Sequence, residues 1–217
     1  MLKLKELREK INFLDSEILK LLEERAAVVT QVGELKKGTN IPLYIPERES
    51  EILESISSKV AVIPKDSIKS IYREIISGCR VLEKNFNVLS IGELGLVVAF
   101  KIFGNSVTVN MEKELIITNL KYNDIIDNNK QIKKTYLEYE KEITEMYDKY
   151  DFIIFSETEL NNIKENTNES SLKITDFLLE KVILDVELSI LEGKKENYHI
   201  ISFNEVYKGV KKCKFKI

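Results

Sequence analysis

The sequence predicts an all-α domain of three helices over residues 1–86, followed by an α/β domain over residues 87–217. Three observations carry this. Leu4, Leu7, Ile11, Leu14, Ile18, Leu21, Arg25, Val28, Val32 and Leu35 keep an unbroken 3,4 spacing, which is the pattern of one long helix with an apolar seam. Pro46 and Pro64 stand where first-turn prolines introduce two shorter helices. From about Asn87 the long helical periods give way to short β-rich runs separated by polar helical stretches.

The first helix is expected from Leu2 to about Lys37, because the seam persists that far and Gly38, Thr39, Asn40 and Pro42 then break it. The second runs from Pro46 to about Ser58, with Ile52, Leu53 and Ile56 as its apolar face. The third, introduced by Pro64 and Asp66, carries Ile68, Ile71, Tyr72, Ile75, Ile76, Cys79 and Leu82 at helical spacing and ends near Lys84. At 1.5 Å per residue the first helix is about 54 Å long, more than two short helices can cover. Its leftover seam calls for a second copy of the chain, and the simplest arrangement is an intertwined, two-fold symmetric helical homodimer.

In the second domain, strands are expected at 88–91, 107–110, 115–118, 152–155, 182–186 and 199–203, and helices at 94–103 and 125–150. This alternation predicts helices layered on a mostly parallel sheet. The stretch from Asn161 to Ser171, rich in Asn, Glu and Ser, reads as a loop.

Composition excludes several classes. A net charge of −3, with lysine and glutamate mixed throughout, argues against a general nucleic-acid binder. Two cysteines are too few for a disulfide framework, and no apolar run approaches the roughly 20 residues that span a bilayer. A soluble, cytoplasmic protein with no membrane partner is expected.

Arg25 is the one charged residue on the apolar seam, and a buried arginine is costly unless an anion meets it. Lys36 lies eleven residues on, about three turns and roughly 16 Å of rise, so the two cations point the same way and can close on a small dianion. Arg8 is roughly 80 to 100° off that face. In a symmetric dimer it can come from the other chain.

The segment Leu7-Arg8-Glu9-Lys10-Ile11 with Leu14-Asp15, then Glu24-Arg25, Val32-Gly33-Glu34-Leu35-Lys36, Pro46-Glu47-Arg48-Glu49, and Tyr72-Arg73-Glu74-Ile75-Ile76 before Glu83, resembles the all-helical (AroQ-class) chorismate mutases over residues 2–84. The resemblance implies rearrangement of chorismate to prephenate in phenylalanine and tyrosine biosynthesis, with no cofactor and no metal. It makes Arg25 and a partner-chain Arg8 the binders of the two substrate carboxylates, with Arg48 in support. Lys36 would donate to the breaking ether oxygen, and Glu49 would hold the ring hydroxyl. Glu83, where glutamine is frequent, can donate to the same oxygen only when protonated, which implies a raised pKa. Ile45 and Cys79 depart from the common aspartate and serine.

Val88-Leu89-Ser90-Ile91-Gly92-Glu93-Leu94-Gly95 resembles the opening of a Rossmann-like dinucleotide-binding fold, and Asp151–Phe155 with Lys181–Val186 resembles the nucleotide-binding half of prephenate dehydrogenase. The glycine fingerprint is incomplete and Leu96, Val97 and Val98 crowd the region where a pyrophosphate must approach, so a degenerate, noncatalytic appendage is expected. The alternatives are a noncatalytic regulatory protein that binds chorismate or aromatic products, and a bifunctional chorismate mutase/prephenate dehydrogenase. Cys79 and His199, the one histidine, read as structural.

Overall fold

The computed structural model describes residues 2–39, 41–42, 44–112, 136–165, 176–189, 193–203 and 213–216. Helix α1 spans Leu2–Lys36, α2 Pro46–Ser57 and α3 Lys65–Glu83, each within two residues of the expected bounds. Pro46 opens α2 at its first turn, where a missing N–H costs nothing. Ile68, Ile76 and Cys79 of α3 and Leu53 of α2 are buried, whereas Ile71 and Leu82 remain about half exposed.

The seam of α1 finds no cover within the described residues of this chain. Leu4, Leu7, Ile11, Leu14, Ile18, Leu21 and Val28 are each between 49% and 61% exposed. Two short helices reach only part of a helix of 35 residues.

The second half folds as β1 (Asn87–Ile91), α4 (Gly92–Phe103), β2 (Thr108–Glu112), α5 (Tyr136–Tyr147), β3 (Phe152–Ser156), α6 (Glu157–Glu165), β4 (Val182–Ser189), β5 (Lys195–Ile201) and β6 (Cys213–Lys216). The strand order is β2-β1-β3-β5-β4-β6. Strands β2, β1 and β3 run parallel, and β4 pairs parallel with β6, but β5 is antiparallel to both β3 and β4. The sheet is therefore mixed where a mostly parallel one was expected. The reason is a hairpin: β4 and β5 are joined by a short connection that turns the chain straight back, whereas a parallel neighbour needs a long crossover.

Other expectations shift locally. The second strand lies at 108–112 rather than 107–110, and the fifth at 195–201 rather than 199–203. Residues 161–165 are helical, not loop, because Ser156 caps α6 by accepting the Glu159 N–H and Leu160 is buried beneath it. Strand β6 was not expected at all. The strand expected at 115–118, and the first part of the helix expected at 125–150, lie outside the described residues.

Alternation along the strands sorts two cores. Leu89, Ile91, Ile153, Phe155 and Ile201 face α5 and α6 through Ile143, Tyr147 and Leu160. Val88, Phe152, Ile154, Leu184, Val186 and Ile200 face α4 through Val98, Ala99, Ile102 and Phe103. Gly95 is required on α4, since a side chain there would drive into the Ser90 hydroxyl. His199 is buried on β5, held between Asp185 (3.2 Å) and Glu157 (2.6 Å).

The sheet is docked on the helices. Tyr44, from the connection between α1 and α2, is 2% exposed and packs against Phe86, Phe103 and Phe152. One face of α3 presents Glu74, Ser77 and Arg80 at i, i+3 and i+6. Glu74 accepts the Asn105 N–H (3.1 Å), Ser77 accepts the Ser106 N–H (3.2 Å), and Arg80 donates to the Phe103 carbonyl (3.1 Å). Lys84 pairs with Asp151, whose other oxygen accepts the Asn87 N–H.

Candidate active site

A cleft of about 160 Å³ opens among the three helices. Arg25, Val29 and Lys36 line it from α1, Arg48, Glu49 and Ile52 from α2, and Ile76, Cys79, Arg80 and Glu83 from α3, with Ile45 at the entrance to α2. The eleven-residue interval that aligns Arg25 with Lys36 is what brings both to one cavity. Gly33 lets α3 approach: a Cβ there would lie 3.0 Å from Glu83 Cγ, so a side chain would push the carboxylate away from Lys36.

Four cations, Arg25, Lys36, Arg48 and Arg80, face two carboxylates, Glu49 and Glu83, an excess suited to an anionic ligand. Most of these charges are matched. Lys36 Nζ stands 3.5 Å from Glu83 Oε2, Arg80 pairs with Glu49, and Arg48 pairs at 3.3 Å with Glu51 on the solvent side. Arg25 differs. Its Nη1 is buried and has no hydrogen-bond partner among the described residues. An arginine nitrogen held dry and unpaired carries a penalty that an incoming carboxylate would remove.

Burial pushes the Glu49 carboxyl above its ordinary value of 4.5, and the neighbouring Arg80 and then Arg73 guanidinium groups pull it back down without cancelling the effect. Of the residues singled out in the sequence, Arg25, Lys36, Arg48, Glu49 and Glu83 line the cleft, as do Ile45 and Cys79. Arg8 does not; it is exposed on α1. Sequence reasoning missed Arg80. The signal available was its place three residues before Glu83, which puts both on one face of α3.

Among the described residues no group of three or more His, Cys, Asp or Glu is placed to hold a metal ion, and no helix is long and apolar enough to cross a membrane.

Residues 7–84, which hold this three-helix cleft, match the family described as Chorismate mutase type II. Among curated relatives, a bifunctional chorismate mutase/prephenate dehydratase of Aquifex aeolicus is 46% identical over 97 residues, covering 42% of this chain and 27% of that protein. A chorismate mutase of Methanocaldococcus jannaschii is 44% identical over 54 residues, 25% of this chain and 54% of that protein. A T-protein of Haemophilus influenzae is 33% identical over 90 residues, 41% of this chain and 24% of that protein. The chain thus spans about a quarter of the length of the bifunctional Aquifex relative. No solved structure matches.

Proposed function

We propose that this protein is a chorismate mutase, acting as a cytoplasmic homodimer whose C-terminal α/β unit is noncatalytic. The observation that carries the reading is the buried, unpaired Nη1 of Arg25 at a cleft it shares with Lys36 and Glu83. The family match over residues 7–84 and the chorismate mutase relatives support the same substrate.

Conversion of chorismate to prephenate is a unimolecular [3,3] rearrangement: the ether carbon–oxygen bond breaks as a carbon–carbon bond forms, with no nucleophile and no net proton transfer. Two tasks remain for the protein. The first is to hold the enolpyruvyl side chain over the ring, an orientation effect worth about 7 to 11 kcal/mol in favourable cases. Arg25 binds one substrate carboxylate, Arg8 of a second copy reaches the other, Arg48 assists, and Glu49 accepts from the ring hydroxyl. The second task is to stabilise charge developing on the ether oxygen. Lys36 donates to it, and Glu83 does so when protonated; one such donor is typically worth about 3 to 4 kcal/mol.

The second copy is supported by the open seam of α1, whose apolar side chains have no cover in the described residues of one chain. The test is loss of the chorismate diene absorbance on adding purified protein, followed across a pH series. Steady depletion with prephenate formed supports the reading. Tight chorismate binding without turnover would replace it with a noncatalytic sensor.

A further inference from the structure

We infer that Arg80 is a positioning residue of the cleft: anchored to the α/β unit at the Phe103 carbonyl, it holds the Glu49 carboxylate where the ring hydroxyl must bind, which makes the α/β unit part of the working site. This rests on the mutase reading above.

Arg80 makes two directional contacts from one rigid plane. Nη1 donates to the Phe103 carbonyl at 3.1 Å and Nη2 pairs with Glu49 Oε1. Phe103 ends α4, so its carbonyl is one of the last four that no intrahelical N–H can satisfy, and Arg80 supplies the missing donor. The guanidinium carbon lies 5.3 Å from the Tyr44 ring centroid and 5.5 Å from that of Phe86. These contacts fix Arg80 from three sides, and its side chain is only 8% exposed. Because a guanidinium is planar, a displacement at Phe103 turns the whole fork and moves the nitrogen that holds Glu49.

Glu49 depends on that partner. The other charged groups around it are Arg25 and Lys36 on α1, Arg48 on α2, and Arg73 and Glu83 on α3, yet Arg80 is the cation it touches. An ionised carboxylate is the stronger acceptor for the ring hydroxyl, and burial works against ionisation. Without Arg80 the acidic limb of the activity profile should therefore move to higher pH.

The experiment is a double-mutant cycle on the full chain, measuring kcat and KM for chorismate from about pH 5 to about pH 9. Arg80→Met should lower kcat/KM by at least about ten-fold and raise the acidic limb by at least about half a pH unit, whereas Arg80→Lys, which keeps the charge, should restore most of that limb. In a Glu49→Gln background the same Arg80→Met change should cost less than about three-fold, because the group it acts through is gone. An unmoved acidic limb, or losses that simply multiply, would overturn the inference while leaving the mutase reading intact. Should Arg80→Met fail to fold, the cycle with Arg80→Gln, which also removes the charge, decides by the same criterion of additivity. A wild type that does not turn over chorismate would overturn the mutase reading, and this inference with it.

Discussion

Lys36 Nζ lies 3.5 Å from Glu83 Oε2 in a part of the cleft where the lysine is 20% and the glutamate 9% exposed. The two groups proposed to meet the ether oxygen therefore face each other before any ligand arrives, held at that separation by the close α1–α3 approach that Gly33 permits. Lys36→Ala removes one fixed donor, so kcat is expected to fall by about 10² to 10³ with the oligomeric state unchanged. Stopped assays on the purified variant check this. Glu83→Gln should keep kcat within about ten-fold of the wild type, since the amide supplies a donor at the same place on α3.

Arg25 sets function against stability. Its buried Nη1 lacks a partner among the described residues, so replacing it with Met should raise the stability of the ligand-free protein by about 1 kcal/mol while cutting kcat/KM at least about 100-fold. Thermal melts with and without chorismate separate the two effects: the ligand should stabilise the wild type and leave Arg25→Met nearly unmoved.

Charges on the α1 seam should separate the proposed dimer. Leu14 and Ile18 are 49% and 55% exposed and neither lines the cleft. Leu14→Glu with Ile18→Glu is expected to yield monomers by sedimentation and to lose most turnover, because Arg8 can then no longer be supplied across the interface. Full activity in a monomer would refute the two-chain site.

Glu49 should leave a mark on the pH dependence of stability. Burial raises its folded-state pKa above the ordinary value of 4.5, so the folded chain holds a proton more tightly than the unfolded one. The resulting stabilisation is complete below 4.5 and is lost as pH rises through the folded value. Relative to Glu49→Gln, the wild type should therefore lose stability as pH climbs through that window. Urea midpoints for both proteins at several pH values test the sign.

What could be read from the sequence was local. Pro46 starts α2, and Pro64 with Asp66 and the apolar period that follows gives α3, because prolines at helix starts and 3.6-residue periods act within a few residues. The helix at 157–165 was also legible in principle, since Ser156-Glu157-Thr158-Glu159 has the pattern of a capping box ahead of the Asn-rich stretch. Strand β6 carries Lys214 and Lys216 about Phe215, a short alternation too brief to separate from a loop.

By itself, the sequence determined the three-helix domain, the alignment of Arg25 with Lys36, and the demand of the α1 seam for cover, since each follows from the pitch of one helix. Only the tertiary structure decided the rest. It inserted β5 antiparallel between β3 and β4, put Tyr44 into the core beneath the sheet, and joined Arg80 to Glu49 on one side and Phe103 on the other. The contacts of Tyr44 and Arg80 link residues 23 to 108 positions apart, where no periodicity reaches and packing alone selects the partner.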